Sequence, residues 1–153
     1  IGVYITMFGA AAALLGAPLA GLLLRFFSRA NSLILFSILK IISLVGYVFL
    51  AYRYESQLQT VPMWLYGVNA FEDACSAMLL VVMLTLIMQY SRKHYAGTDF
   101  TFQVSIMATV SGVLYLGSGV IADALGYYFY LSLICAIAIL CLAPIFFWKN
   151  KMA

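Results

Sequence analysis

Two carboxylates stand side by side in the middle of an apolar run. The stretch Asn69-Ala70-Phe71-Glu72-Asp73-Ala74-Cys75-Ser76 lies about ten residues into a segment that opens near Pro62 and stays apolar to Met88. A charge at bilayer depth costs roughly 3 kcal/mol or more, so a chain keeps one there only with a partner, a water-filled cavity or a role. On a helix, Asn69, Glu72 or Asp73, and Ser76 fall at i, i+3 or i+4, and i+7, which makes them one polar stripe. Such a stripe at this depth points to a pathway or a binding cavity. Asp73 projects about 100° away from Glu72, so only one of the two is expected to face that cavity fully.

Composition settles the solvent. Of 153 residues, 66% are hydrophobic and 8% charged, against about 25% charged in soluble domains, so this is an integral membrane protein. The net charge of +3 comes from basic residues beside apolar runs rather than from a patch, so no nucleic-acid partner is expected. Cys75, Cys135 and Cys141 sit inside apolar segments without metal or redox spacing and are expected to be buried small hydrophobes. His94 lies in a basic loop with no ligand-spaced companion, so no metal site is expected. The chain has no paired His, no Ser/His or Cys/His set and no Gly-rich phosphate loop; neither an enzyme nor a cofactor is expected.

About 20 apolar residues cross the hydrocarbon layer as a helix. Five segments qualify, at about 2–24, 33–53, 62–89, 100–122 and 127–148, and none shows the alternation of a membrane strand. The expected fold is all-α: a polytopic bundle of five transmembrane helices occupying residues 1–153. In the first helix, Gly9, Ala13, Ala17 and Gly21 recur every fourth position, with Ala12, Gly16 and Ala20 beside them. Such a ridge lets two backbones approach closely, and Pro18 is expected to kink the helix. In the second helix Ser37, Lys40 and Tyr47 share a face. Lys40 either snorkels to the interface or enters the cavity and neutralises Glu72 or Asp73.

The loop Tyr52-Arg53-Tyr54-Glu55-Ser56-Gln57 leads through Pro62 into the third helix. Asp99, near the start of the fourth, is explained by capping and the helix dipole. Further along, Thr101, Ser105, Thr109 and Gly112 make a second stripe, with Gln103 on a neighbouring face. Asp123 and Gly126 mark a tight turn before the fifth helix. With alternating helices, Arg25, Arg29, Arg92, Lys93, Lys149 and Lys151 fall on one side and Arg53 alone on the other. The positive-inside rule then places the C-terminus in the cytoplasm.

The run from Phe71-Glu72 through AGTDFTFQVS (96–105) to SGVIADALGY (118–127) resembles the AmpG-like permeases of the major facilitator superfamily. These comprise muropeptide permeases and the related RhtX/FptX-like siderophore permeases, and the Ala96-Gly97-Thr98-Asp99 start is closer to the siderophore branch. The resemblance covers most of the chain and matches the last five of twelve spans. It implies most of a C-terminal half, with the N-terminal half of the same transporter and one helix absent. It also implies a bacterial inner membrane and proton-driven import of a polar solute, such as a siderophore or a muropeptide, by alternating access. The superfamily's loop signature, Gly-x-Leu-Ala-Asp-x-x-Gly with basic residues after it, is degenerate here. Gly21, Leu23 and Arg29 fit, but Arg25 occupies the acidic position and Ser28 the second glycine. A better match at Gly119, Ala122, Asp123 and Gly126 falls in the outer loop without basic residues, so Asp123 is given no gating role.

The expectation is a secondary transporter with a cavity formed by Lys40, Asn69, Glu72, Asp73, Ser76, Thr101, Gln103 and Ser105, with Tyr47 as a further donor. Glu72 is the candidate for proton coupling. Burial favours the neutral form of a carboxylic acid and an approaching cation favours the charged form. The alternative is a non-catalytic membrane subunit that docks on a partner through the Gly9–Gly21 face.

Overall fold

The computed structural model describes residues 2–56 and 62–152, so Gln57 of the second loop lies outside the described residues. The chain folds into five long helices: α1 (Gly2–Phe26), α2 (Arg29–Glu55), α3 (Pro62–Tyr90), α4 (Ala96–Leu125) and α5 (Tyr127–Met152). A single 3₁₀ turn, Lys93–Tyr95, precedes α4. All five helices are long and apolar enough to cross a membrane, and no strand occurs among the described residues. The chain is an all-α integral membrane protein.

The helices run further than the apolar segments alone predict, and local chemistry explains where they stop. α2 begins at Arg29 rather than near 33 because Ser28 caps it, its side chain accepting from the Asn31 backbone N–H at 3.3 Å. Arg25, expected in a loop, forms part of the last turn of α1, where a cation complements the dipole. α4 begins at Ala96 rather than near 100 and runs past Asp123. It ends at Gly126, whose φ of 84° suits glycine and whose N–H returns to the Ala122 carbonyl. Asp123 therefore belongs to the helix, and the turn rests on Gly126 alone. α1 continues through Pro18.

α3 is the hub. It packs against α1 on one side and α2 on another, and α5 packs on α2. Ile5 meets Asn69, Gly9 meets Asp73 and Gly16 meets Ala74, so α1 and α3 run parallel. Lys40 meets Glu72 and Tyr47 meets Asn69, so α2 runs antiparallel to both. The α1–α3 seam is made by Gly9, Gly16 and Ala20, all buried, while Gly21 is exposed with no atom near its missing Cβ. A strict four-residue repeat drifts about 40° per step around a 3.6-residue helix. The expected row Gly9–Gly21 therefore leaves the seam, and the neighbouring row takes over.

The closest-packed core lies toward one end, where Ala20, Leu33, Phe36 and Val82 are buried with Leu24, Leu86 and Trp148 around them. Elsewhere large apolar side chains face outward, as lipid requires; Leu14, Leu15 and Tyr115 are about three-quarters or more exposed. α4 touches only α3, α5 and the turn before it, and Ala122 is its one buried residue among those described. Cys75 and Cys135 are buried as expected, but Cys141 is exposed on α5. It projects from the bundle, where hydrocarbon suits a thiol as well as a protein core does.

Candidate functional site

The polar stripe of α3 splits in two. Glu72 lies ten residues into α3, about 15 Å along its axis, and so well inside the span. Its carboxylate turns toward α2 and pairs with the Lys40 ammonium. Lys40 also donates to the Ser76 hydroxyl, which in turn donates to Glu72 at 2.9 Å. Of the two outcomes open to Lys40, pairing with Glu72 prevails over snorkelling. Eleven residues of α2 separate it from Arg29, about 16 Å, which is beyond a lysine stem.

Asp73 turns the other way, toward α1. It accepts from the Asn69 side-chain amide at 2.9 Å, and that amide also donates to the Ile5 carbonyl at 3.4 Å. The Asn69 carbonyl accepts from the Tyr47 hydroxyl at 2.9 Å. Gly9 makes this arrangement possible. A Cβ there would collide with the Asp73 carboxylate and come within 2.7 Å of Asn69 Nδ2. Two i, i+4 pairs, Glu72–Ser76 and Asn69–Asp73, thus serve two different helix interfaces, because adjacent residues diverge by about 100° on a helix. α2 contributes one residue to each half, Lys40 to the Glu72 side and Tyr47 to the Asn69 side.

In electrostatic terms the halves differ. Glu72 has a cation and a hydroxyl, with about a fifth of its side chain exposed. Asp73 forms no ion pair among the described residues; its partner is a neutral amide. The arrangement therefore offers one balanced charge pair and one acid without a cation, on adjacent residues of α3. It gathers two carboxyl groups, an ammonium, a phenol, a hydroxyl and an amide inside the span.

The α4 residues do not join this network. Thr101 and Ser105 line an open cavity with Gly97, Thr98 and Phe102, and the Thr101 hydroxyl bonds back to the Gly97 carbonyl at 2.8 Å. Gln103 lines a separate slot between α2, α3 and α5. The reason is the placement of α4 at the margin of the bundle, where it packs on α3 and α5 and not on α2. Asp99 lies in the first turn of α4, where the dipole favours an acid, but it does not cap the helix: the N-cap is Tyr95, without a side-chain cap bond. Its carboxylate accepts the Arg92 backbone N–H at 3.1 Å and the guanidinium through Nε at 2.9 Å and an NH2 group at 2.8 Å. These bonds raise the Arg92 guanidinium above its ordinary value.

A cavity of about 610 Å³ opens between α2 and α3, and none of the charged side chains lines it. Ile42, Met63, Trp64, Val68 and Phe71 line it with Gly46 and Gly67, and Ser43 is its one polar lining residue. Among the described residues no group of three His, Cys, Asp or Glu side chains is placed to hold a metal ion. Sequence reasoning found the network's polar members but missed Gly9 and the Ile5 carbonyl. The small-residue ridge signalled close packing, yet nothing along the chain says which residue it packs against. The chain matches no protein-family model and no solved structure.

Proposed function

We propose that this chain forms part of a secondary active transporter, proton-coupled, that imports a polar solute by alternating access. The observation that carries this proposal is the Lys40–Glu72–Ser76 and Tyr47–Asn69–Asp73 network, built across three helices inside the span. Ionisable groups at this depth are costly and face pathways. A proton delivered to Glu72 neutralises it and releases Lys40. An anionic or hydroxyl-rich solute then takes the ammonium, and loss of the proton restores the pair. The solute classes suggested by the resemblance to AmpG-like permeases are a siderophore or a muropeptide, and the membrane a bacterial inner membrane with the basic end in the cytoplasm.

Against the subunit alternative weighs the burial of Gly9, Gly16 and Ala20 within this chain, which leaves Gly21 as the exposed glycine of that face. The test is uptake of labelled ferric siderophore and labelled anhydro-muropeptide by cells expressing the transporter of which this chain forms part, with and without a proton uncoupler. Uncoupler-sensitive uptake of one, reduced at least tenfold by Glu72→Gln at unchanged membrane level, is expected. Uptake unaffected by Glu72→Gln would remove the coupling role of the network.

A further inference from the structure

The end of the bundle that carries most of the cations contains a second constellation, independent of the transport network. A cavity of about 530 Å³ opens there between the start of α2 and the ends of α3 and α5. Its polar lining includes Ser28, Arg29, Asn31, Gln89 and Lys149, with no acidic residue among the lining side chains. Among the described residues neither Arg29 nor Lys149 forms an ion pair. Two cations without counter-charges face one space.

A second cavity of about 340 Å³ adjoins it and shares Leu86, Tyr90 and Trp148. Beyond those shared residues it is lined by Leu33, Met83, Ile87, Pro144 and Ile145, with Gln103 as the one polar side chain. Tyr90 and Trp148 stand at the junction, ring centroids 6.4 Å apart and nearly edge to face. They lie near the inner ends of their helices, in the register where aromatic residues mark the boundary between headgroups and hydrocarbon. A basic, polar mouth thus opens into an apolar slot across an aromatic threshold.

The geometry points to a binding site for an anionic phospholipid. Its headgroup phosphate takes Arg29 and Lys149, and one acyl chain enters the slot beneath Trp148. Charge complementarity selects the head, since basic pockets between transmembrane helices favour anionic headgroups. Continuity of the two cavities selects an amphiphile over a free anion, which has no use for the slot. The occupant comes from the surrounding bilayer, so no soluble partner is required. Each basic residue near an anionic surface contributes on the order of fivefold in affinity, so two give a preference of roughly tenfold or more over a zwitterionic lipid of the same chain length.

The test uses Trp148 as the reporter. The chain has two tryptophans, and Trp64 lies at the opposite end of the bundle, so Trp64→Phe leaves a single fluorophore. The purified variant is reconstituted into phosphatidylcholine vesicles carrying a minor fraction of either phosphatidylglycerol or phosphatidylcholine with brominated acyl chains. The expected result is quenching of Trp148 at about a tenfold lower fraction of the brominated phosphatidylglycerol. Arg29→Gln with Lys149→Gln is expected to bring the two lipids to parity while leaving quenching by brominated phosphatidylcholine unchanged, which reports that the protein is still inserted. High salt on the cation-bearing protein gives the same answer without those substitutions, since an exposed arginine is screened. Equal quenching by the two lipids overturns the proposal. So does loss of the preference on adding glycerol phosphate or inorganic phosphate, which would show a free-anion site.

Discussion

Gly9 of α1 leaves the space that the Asp73 carboxylate of α3 occupies. A glycine and an acid far apart in the chain are fitted to each other inside the span, and the fit sets how closely α1 and α3 approach. Gly9→Ala is therefore expected to force α1 outward, at a cost in the range of about 1–3 kcal/mol typical of overpacking. Gly21→Ala, where nothing lies within 4 Å of the added Cβ, is expected to be neutral or slightly stabilising. Denaturation of the two variants in mixed detergent micelles checks this. Equal losses would mean that the seam does not pass through Gly9.

The Lys40–Glu72 pair predicts a characteristic non-additivity. Lys40→Met leaves Glu72 inside the span without its cation, and Glu72→Gln does the same to Lys40. Breaking one partner of a buried pair costs roughly 3–5 kcal/mol, whereas replacing both is often near neutral. With about a fifth of each side chain exposed, single losses near the lower end are expected, and the double variant should recover most of that stability. A double variant as unstable as the sum of the singles would show that the two groups act separately.

The Tyr47 hydroxyl donates to the Asn69 side-chain carbonyl, while Asn69 keeps Asp73 and Ile5 without it. Tyr47→Phe is expected to cost about 0.6 kcal/mol in stability, the average for an interhelical hydrogen bond in a membrane. Its effect on uptake should be larger than its effect on folding, because it unties α2 from the Asp73 half of the site. Thermal unfolding measured beside the uptake assay separates the two. A variant with unaltered uptake would exclude Tyr47 from the pathway.

Asp99 holds the turn between α3 and α4 through three bonds to Arg92. Asp99→Ala is expected to speed amide exchange across residues 92–99 several-fold and leave exchange in residues 69–76 unchanged, since α4 does not reach the network. Hydrogen–deuterium exchange in detergent micelles measures both segments at once. Faster exchange spreading into residues 69–76 would show that α4 supports the site after all.

Much of this was legible along the chain. Apolar runs about 20 residues long oblige helices, because backbone groups in hydrocarbon have no other way to satisfy their hydrogen bonds. Lys40, Glu72 and Asp73 announced themselves by being charged where charge is costly. Helix ends were less legible, since α2 starts on the Ser28 cap and α4 stops on the positive φ of Gly126. Those are single-residue signals easily outweighed by a hydropathy average.

By itself the sequence determined that this protein spans a membrane as five helices and that a polar stripe on the third is its most costly feature. Only the tertiary structure decided that Glu72 pairs with Lys40 while Asp73 sits against Gly9, and that Thr101, Gln103 and Ser105 stand apart from both. It alone joined Arg29, Lys149 and Trp148 around one opening. The physical reason is that hydropathy and helical period act along the chain and can be read one residue at a time. Which faces meet depends on how helices distant in sequence pack side by side, and that is set by shape and charge fitting across the interfaces.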